Sequence, residues 1–307
     1  MDRTNKTQTM DRTKIAIIIP YFGKFPDWID LYLFSCSKNS FIDFWFFTDC
    51  DIPHKVYKNT FFLKITFKEY CEQVSHALGI TFAPENPYKL CDLKVFYGII
   101  HENLLKEYDF WGFGDLDLMY GDLSLVVNKN TLGRYNIITT HADRVAGHFT
   151  IIKRESKYSA FCLKIKNWKD RLEDKFVFGL DEHDFTALIY PIHKWVWRLH
   201  RLTSIHHYKL FAFFNAITRL FSDISIKEYN TSPLPKSGET WVYNIKLNKI
   251  IAPNKSEIPY LHFLFFKKTP FWDNENYWKD GYYQISDEFE SNKGTIIVNN
   301  KSISFEV

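Results

Sequence analysis

Apolar residues in this chain form short continuous runs that alternate with segments of helical spacing. Three of the runs are rich in β-branched and aromatic residues and lack polar alternation, which is typical of strands buried on both faces of a parallel sheet. These runs are residues 14–20, 41–51 and 109–114. Helical spacing of apolar residues is seen at 25–40, 67–78 and 88–108. The alternation predicts βαβ units and a mostly parallel central sheet flanked by helices.

The remainder of the chain continues the mixed pattern with shorter elements. Further strands are predicted at 61–65, 135–140, 147–153, 241–247 and 260–266. A helix is predicted at 155–170, and a helical patch that begins with acidic residues lies within 176–190. Residues 123–134 are interpreted as a connection, and residues 294–307 as a β-hairpin around Asn299-Asn300. The fold class is therefore α/β.

Composition narrows the class of protein. The chain has 307 residues, enough for one large α/β domain or two small ones, and 46% hydrophobic residues exclude a disordered chain. A net charge of +3 does not indicate a nucleic-acid-binding protein. Residues 1–13 are polar and are interpreted as a disordered tail without a secretory signal. Five scattered cysteines without C-x-x-C spacing favour reduced thiols in a cytoplasmic protein.

One segment, residues 193–221, departs from the rest in composition. It carries five Lys/Arg and four His residues, no acidic residue, and an apolar stripe at helical spacing. Three interpretations remain open. The segment is a helical insertion packed on the core, an amphipathic helix lying on an anionic membrane, or a nucleic-acid-binding element. The rest of the chain does not support the third.

Two carboxylates follow the predicted strand at 109–114. Asp115 and Asp117 are one residue apart, so in an extended chain both can face one ligand. Carboxylate pairs suit a hard divalent cation, which in turn suits a diphosphate, and α/β sheets bind ligands at this strand edge. The alternative interpretation is an ordinary turn, where Asp and Gly are common.

The motifs and their order resemble a known fold family. The first four are a strand ending in IPYFG, a strand ending in FTD, the sequence KLCDLK and a strand ending in GDLD. A strand that begins with Gly-His, the acidic pair Asp181-Glu182 and the C-terminal histidine His262 follow. This order resembles the GT-A fold of nucleotide-sugar glycosyltransferases across roughly residues 14–275. The stretch from KLCDLK to GDLDLMYGDL is similar to a group of bacterial capsule and lipopolysaccharide glycosyltransferases. The resemblance implies a GT-A domain, with residues 276–307 as a C-terminal β extension.

The resemblance implies a Mn²⁺ or Mg²⁺ site. Asp117 would be the main ligand, and Asp115 a secondary ligand that also reaches the ribose or donor sugar. The segment YLHFLFFKKTPFW is similar to an H-F-x-G-x-x-K-P-W segment, so His262 would bind the metal and Lys268 the diphosphate. The glycine is missing here and one residue separates Lys268 from the proline, so Lys267 is an alternative. The other interpretation of His262 is a core histidine.

Donor-binding residues are implied at two strand ends and on the helix before GDLD. The base and ribose would contact Pro20, Tyr21, Phe22 and Asp49, which also make sense as ordinary loop residues. Asp92 and Lys94 match positions that touch the donor, and their alternative is a solvated helix face. His148, at the start of a strand, would line the donor sugar.

The acidic cluster at residue 181 is the candidate for proton transfer. Asp181 or Glu182 would take the proton of the acceptor hydroxyl in an inverting enzyme, or orient the acceptor in a retaining one. The alternative is an exposed helix N-terminus rich in acids.

The resemblance therefore implies a metal-dependent hexosyltransferase of capsule or lipopolysaccharide synthesis. It would move a sugar from a nucleotide-sugar such as a UDP-sugar to a glycan acceptor. Such acceptors are usually lipid-linked at the cytoplasmic membrane face, which would suit attachment through residues 193–221. The main alternative is a catalytically inert nucleotide-sugar-binding protein of the same fold. A sugar-nucleotidyltransferase ranks last, because the loop after the first strand lacks a Gly-rich, basic sequence.

Overall fold

A seven-stranded sheet forms the centre of the part of the chain that the computed structural model describes. The described residues are 13–141, 143–190, 198–199, 202, 222–229, 231, 236–266, 281–285, 289 and 294–306. The strands of this sheet are β1 (Ile15–Pro20), β2 (Ile42–Thr48), β3 (Thr60–Lys64), β4 (Phe110–Gly114), β6 (Ile137–Thr139), β7 (Phe149–Lys153) and β8 (Ile224–Ile226). The fold is mixed α/β, with a mostly parallel sheet flanked by helices, as the apolar pattern predicts.

The strand order is β3-β2-β1-β4-β7-β6-β8, and β7 alone in this sheet runs antiparallel to its neighbours. Strand β1 lies between β2 and β4, with Pro20 opposite Phe47 and Ile18 opposite Phe113. These three parallel strands therefore end at one edge of the sheet. The segments that follow Pro20, Thr48 and Gly114 come together there, because parallel strands carry their carboxyl ends to the same side.

Seven helices flank the sheet within the described residues. They are α1 (Ile29–Ser37), α2 (Phe67–Leu78), α3 (Tyr97–Ile100), α4 (Glu102–Leu105), α5 (Lys129–Arg134), α6 (Trp168–Glu173) and α7 (Thr186–Ile189). Helix α2 has the predicted bounds, because Thr66 and Glu69 form a capping box and Gly79 ends the helix in a left-handed conformation.

The prediction of a single long helix at 88–108 is wrong. A 3₁₀ segment at Pro87–Phe96 leads into α3, and His101 leaves the helical backbone region before α4. Three charged side chains of the 3₁₀ segment, Lys89, Asp92 and Lys94, are buried. The core therefore buries charged side chains of this segment as well as its apolar stripe. The alternative interpretation of Asp92 and Lys94, a solvated helix face, is wrong because both residues are buried.

Three smaller predictions also differ from the structure. The strand predicted at 260–266 ends at His262 and is followed by a 3₁₀ turn at Leu264–Phe266. Residues 155–170 contain a 3₁₀ segment at Lys157–Lys164 and then α6, since Asn167 adopts a left-handed conformation that interrupts the helix. The connection predicted at 123–134 contains a 3₁₀ turn and helix α5, which Asn128 caps.

A second sheet follows in the C-terminal part. It contains β11 (Glu257–Ile258), β10 (Lys249–Ile251), β9 (Thr240–Asn244), β14 (Thr295–Asn299), β15 (Ile303–Glu306) and β13 (Tyr283–Gln284), in that spatial order. The predicted hairpin at 294–307 is confirmed as β14 and β15. One face of the sheet packs through Trp241 and Tyr243 against a cluster that includes Phe34 of α1.

A two-stranded ladder connects the two halves of the chain. Strand β5 (Leu118–Tyr120) pairs antiparallel with β12 (Tyr260–His262). Most of the segment at 193–222 lies outside the described residues, as do Lys267 and Lys268. None of the helices in the described ranges has both the length and the apolar character needed to cross a membrane.

Candidate functional site

The Asp115–Asp117 turn begins where β4 ends. Gly114 closes the strand, and its missing side chain matters because a Cβ there would lie 3.1 Å from the Tyr120 hydroxyl. The indole nitrogen of Trp28 donates a hydrogen bond of 2.7 Å to the Leu116 carbonyl. Leu116, the central residue of the turn, is buried in the core. Asp115 and Asp117 flank it in the sequence.

The β5–β12 ladder brings His262 to this turn. His262 lies opposite Leu118, and the Phe263 amide donates to the Asp117 carbonyl at 2.9 Å. As a result, Nε2 of His262 lies 3.5 Å from Oδ1 of Asp117. Both residues are buried, at 5% and 8% exposure.

Asp115, Asp117 and His262 form a candidate cation site. One ligand atom from each lies within 4.8 Å of the other two. Two carboxylates and one imidazole are a donor set that Mn²⁺ accepts, and Mg²⁺ accepts the oxygen ligands. The Asp115 side chain is 35% exposed, so the site has an open side from which a further ligand can approach.

A second histidine lies behind the first. The ring of His148 stacks on that of His262 with centroids 4.1 Å apart, and its Nε2 lies 2.8 Å from the Tyr260 hydroxyl. Burial, followed by the neighbouring His262 and His141, lowers the pKa of His148 well below its usual value. His148 is 3% exposed and packs between His262 and Tyr260, so the structure does not support the predicted contact of its ring with a donor sugar.

Lys94 links the cation site to the start of β7. Its Nζ donates to Oδ1 of Asp115 at 2.6 Å and to the Gly147 carbonyl at 3.0 Å. Burial alone would lower the pKa of Lys94, but the Asp115 carboxylate and other nearby groups outweigh it and raise the pKa. Lys94 therefore stays protonated at the site.

Asp181 lies near Gly147 and Lys94. Its carboxyl is buried, and this burial together with Glu182 raises its pKa to about 7, although Lys94 acts in the opposite direction. Gly147 makes room for the group, since a Cβ on Gly147 would lie 2.8 Å from Oδ2 of Asp181. A carboxyl with a pKa near neutrality beside a candidate cation site is suited to proton transfer.

Glu182 is more exposed than Asp181 and has a different partner. Its Oε2 lies 3.4 Å from Nε of Arg144. Asp181 and Glu182 both belong to a π-helical turn at Asp181–Phe185, and such turns are frequent at functional sites. The two acids expected as alternatives therefore differ in environment, and Asp181 has the shifted pKa.

The predicted donor residues at the sheet edge divide into two groups. Pro20 and Tyr21 lie at the edge, where Tyr21 stacks on Phe25, and the exposed Asp49 accepts a hydrogen bond of 2.7 Å from the Gly23 amide. Phe22 is 8% exposed and packs against Phe67 and Tyr70. Its ring is occupied by the core, so the structure does not support a base contact through it.

A donor contact is also not supported for Asp92. It is fully buried, pairs with Lys89 at 3.0 Å, and accepts hydrogen bonds from the Phe178 and Leu180 amides. Its carboxylate oxygens are thus both used inside the protein.

Four residues around the site were not predicted from the sequence: Trp28, Lys89, Arg144 and Tyr260. Each acts through a contact with a residue distant in the chain. Lys89 begins the KLCDLK motif and Tyr260 begins the YLHFLFFKKTPFW segment, but neither was singled out for a role within them. A buried lysine such as Lys89 has no local signal, because lysine is usually exposed.

Comparison with known proteins assigns the family. No curated protein matches the chain. The model of a protein family matches residues 17–293, which is most of the chain. The protein therefore belongs to the family of unknown function DUF6625.

Proposed function

We propose that this protein is a metal-dependent glycosyltransferase that moves a sugar from a nucleotide-sugar to a glycan acceptor. The observation that carries the proposal is the position of Asp181 across Lys94 and Gly147 from the Asp115, Asp117 and His262 cluster. A cation site at the carboxyl edge of a mostly parallel sheet, next to a carboxyl with a raised pKa, suits transfer from a diphosphate donor.

Asp115, Asp117 and His262 would hold Mn²⁺ or Mg²⁺, which would neutralise the charge of the diphosphate leaving group. Lys94 keeps the Asp115 carboxylate oriented by its 2.6 Å contact. The edge formed by Pro20, Tyr21 and Asp49 is the proposed location of the nucleotide. Lys268 remains the proposed diphosphate ligand.

Asp181 would accept the proton of the acceptor hydroxyl as that oxygen forms its bond to the sugar. Its buried position keeps bulk water from the carboxyl, and its pKa of about 7 gives it a substantial deprotonated fraction at neutral pH. Glu182, paired with Arg144, would orient the acceptor.

The resemblance to capsule and lipopolysaccharide enzymes supports the proposal that the acceptor is a bacterial surface glycan. Lipid-linked acceptors of this kind lie at the cytoplasmic membrane face, and the basic, aromatic segment 193–221 is the proposed contact with anionic lipid.

Nucleotide-sugar turnover tests the proposal. The purified chain is incubated with a panel of UDP-, GDP- and CMP-sugars with and without Mn²⁺, and release of the nucleotide is measured. Slow hydrolysis of one donor, dependent on Mn²⁺ and lost in Asp117→Ala and Asp181→Asn, is expected.

Thermal shift on the same panel identifies the inert alternative. A ligand that binds the native state raises its melting temperature by mass action. A Mn²⁺-dependent shift without turnover, in the presence of candidate acceptors, would favour a nucleotide-sugar-binding protein. No shift with any nucleotide would contradict both functions.

A further inference from the structure

A fully buried ion pair lies beneath the segment that carries Asp181. Lys89 and Asp92 belong to the 3₁₀ segment Pro87–Phe96 and are 1% and 0% exposed. Their contact, Nζ to Oδ2, is 3.0 Å. Removing such a deeply buried pair of charges from water costs free energy. Apolar residues of similar volume at the same positions often stabilise a protein as well as the ion pair does, or better. Its presence needs a reason other than net stability.

The contacts of Asp92 indicate that reason. Its Oδ2 accepts from the Phe178 amide at 3.0 Å, and its Oδ1 accepts from the Leu180 amide at 3.2 Å. Gly179 between them has a φ of +65°, a left-handed conformation in which two flanking amides converge on one anion. The next residue is Asp181.

Lys89 holds the same segment from its other end. Its Nζ donates to the Arg171 carbonyl at 2.7 Å and to the Phe176 carbonyl. Two cations contact the ring of Phe178: Nζ of Lys89 lies 5.0 Å and Cζ of Arg171 lies 4.6 Å from the ring centroid. Both ends of the connection from α6 to Asp181 are thus attached to the 3₁₀ segment.

That 3₁₀ segment also carries Lys94, which contacts Asp115 and Gly147. One rigid stretch therefore contacts the carboxylate turn through Lys94 and the Asp181 segment through Lys89 and Asp92. The separation between the candidate cation site and Asp181 is fixed by the geometry of this stretch.

We propose that Lys89 and Asp92 are positioning residues, which hold the 176–180 segment so that Asp181 faces Lys94 and the cation site. The role in turnover rests on the proposed function, whereas the attachment of the segment does not. The pair acts through backbone amides and carbonyls, and neither residue touches substrate.

The test uses the full chain with both charges removed, Lys89→Met with Asp92→Leu. Single removal, as in Asp92→Ala, leaves an unpaired buried charge that can unfold the protein, whereas the double variant avoids this penalty. Asn59→Ala is the matched control. Asn59 is buried and donates to the carbonyls of Cys36, Asn39 and Ile42, at the edge of the sheet away from the site.

Amide hydrogen exchange is measured on peptides that cover residues 176–182. In the double variant, exchange there is expected to be about 10- to 100-fold faster than in the wild type, because hydrogen bonds to charged groups are lost. Asn59→Ala is expected to lower the melting temperature without this local effect. Unchanged exchange in the double variant, or an equal increase in Asn59→Ala, overturns the proposal.

Measurement of turnover distinguishes a positioning role of Lys89 and Asp92 from a role in stability alone. The double variant is expected to lose about 10- to 100-fold in kcat with the KM for the donor nearly unchanged, since the donor contacts lie elsewhere. If the double variant keeps wild-type kcat despite faster exchange, the positioning role is overturned. If the wild type turns over no donor, the proposed function fails, and the exchange measurement still decides whether the pair holds the segment.

Discussion

Nε2 of His262 lies 3.5 Å from Oδ1 of Asp117, although the two residues are in distant parts of the chain. The cause is the antiparallel pairing of β12 with β5, which places His262 opposite Leu118. Any change that removes one of these side chains leaves the ladder in place but removes a ligand from the candidate cation site.

Asp117→Ala is therefore expected to abolish Mn²⁺ binding while the fold is kept. Since second-sphere changes alone cost about 10- to 100-fold in metal affinity, loss of a direct ligand should cost at least about 100-fold. Asp115→Ala is expected to weaken both Mn²⁺ and nucleotide-sugar binding. Calorimetry and Mn²⁺ electron paramagnetic resonance measure these effects without an activity assay.

Asp109→Asn is the control for those two variants. Asp109 is an exposed acid at the opposite end of β4, where it accepts a hydrogen bond from the Lys14 amide. The Asp109→Asn variant should bind Mn²⁺ with the affinity of the wild type. Wild-type Mn²⁺ affinity in both Asp115→Ala and Asp117→Ala would show that the carboxylate turn is structural.

Gly147→Ala is expected to displace the Asp181 carboxyl. The new Cβ would lie 2.8 Å from Oδ2 of Asp181 and 3.5 Å from Nζ of Lys94, and these are side-chain ends that can shift. Turnover should fall by about 10-fold or more with a small change in melting temperature.

Gly133→Ala provides the comparison for that substitution. Gly133 lies in α5 with nothing within 4 Å of an added Cβ, so alanine should stabilise the helix by up to about 1 kcal/mol and leave turnover unchanged. Full activity of Gly147→Ala would mean that the Asp181 carboxyl is not needed in its present position.

Asp181→Asn is expected to stabilise the protein at alkaline pH. The pKa of Asp181 is raised to about 7 by burial, so the folded state holds the proton more tightly than the unfolded chain does. The wild type therefore loses stability as pH rises from about 4 to about 7, and asparagine removes this loss. The melting temperature of the variant should exceed that of the wild type by roughly 2–6 °C at pH 8 and match it at pH 4.

The same carboxyl predicts the pH dependence of turnover. A proton acceptor works in its deprotonated form, so wild-type turnover should rise through about pH 7 and then level off. The rise should disappear in Asp181→Asn together with most of the activity. A melting temperature of Asp181→Asn that is lower than that of the wild type at pH 8 would contradict the burial argument.

Trp28→Phe is expected to lower Mn²⁺ affinity about threefold to tenfold. The substitution removes the 2.7 Å hydrogen bond to the Leu116 carbonyl, and one such bond is worth about 1 kcal/mol. Trp45→Phe removes a similar indole hydrogen bond, to the Tyr108 hydroxyl, and should leave Mn²⁺ affinity unchanged. Equal Mn²⁺ affinities in the two variants would show that the carboxylate turn needs no support from Trp28.

Local sequence predicted most of the elements but not the course of residues 88–108. Apolar spacing there is helical, yet the structure has a 3₁₀ segment and two short helices, and Lys89, Asp92 and Lys94 are buried. Buried charges depend on partners from other elements, and periodicity carries no information about partners. The family resemblance implied that Asp92 touches the donor, but Asp92 is buried in the core beside Lys89.

Within the site, the sequence alone predicted Asp115 and Asp117 as a carboxylate pair at the end of a buried strand, whereas the acidic pair at 181–182 was implied by the family resemblance. The prediction for Asp115 and Asp117 follows from local rules, since strand ends lie at a sheet edge and paired carboxylates favour cations. Only the tertiary structure decided that His262 lies beside Asp117, that Phe22 packs in the core, and that Asp181 is the acid with the raised pKa. Register between distant strands and desolvation by distant segments are properties of the folded chain, so no local pattern could determine them.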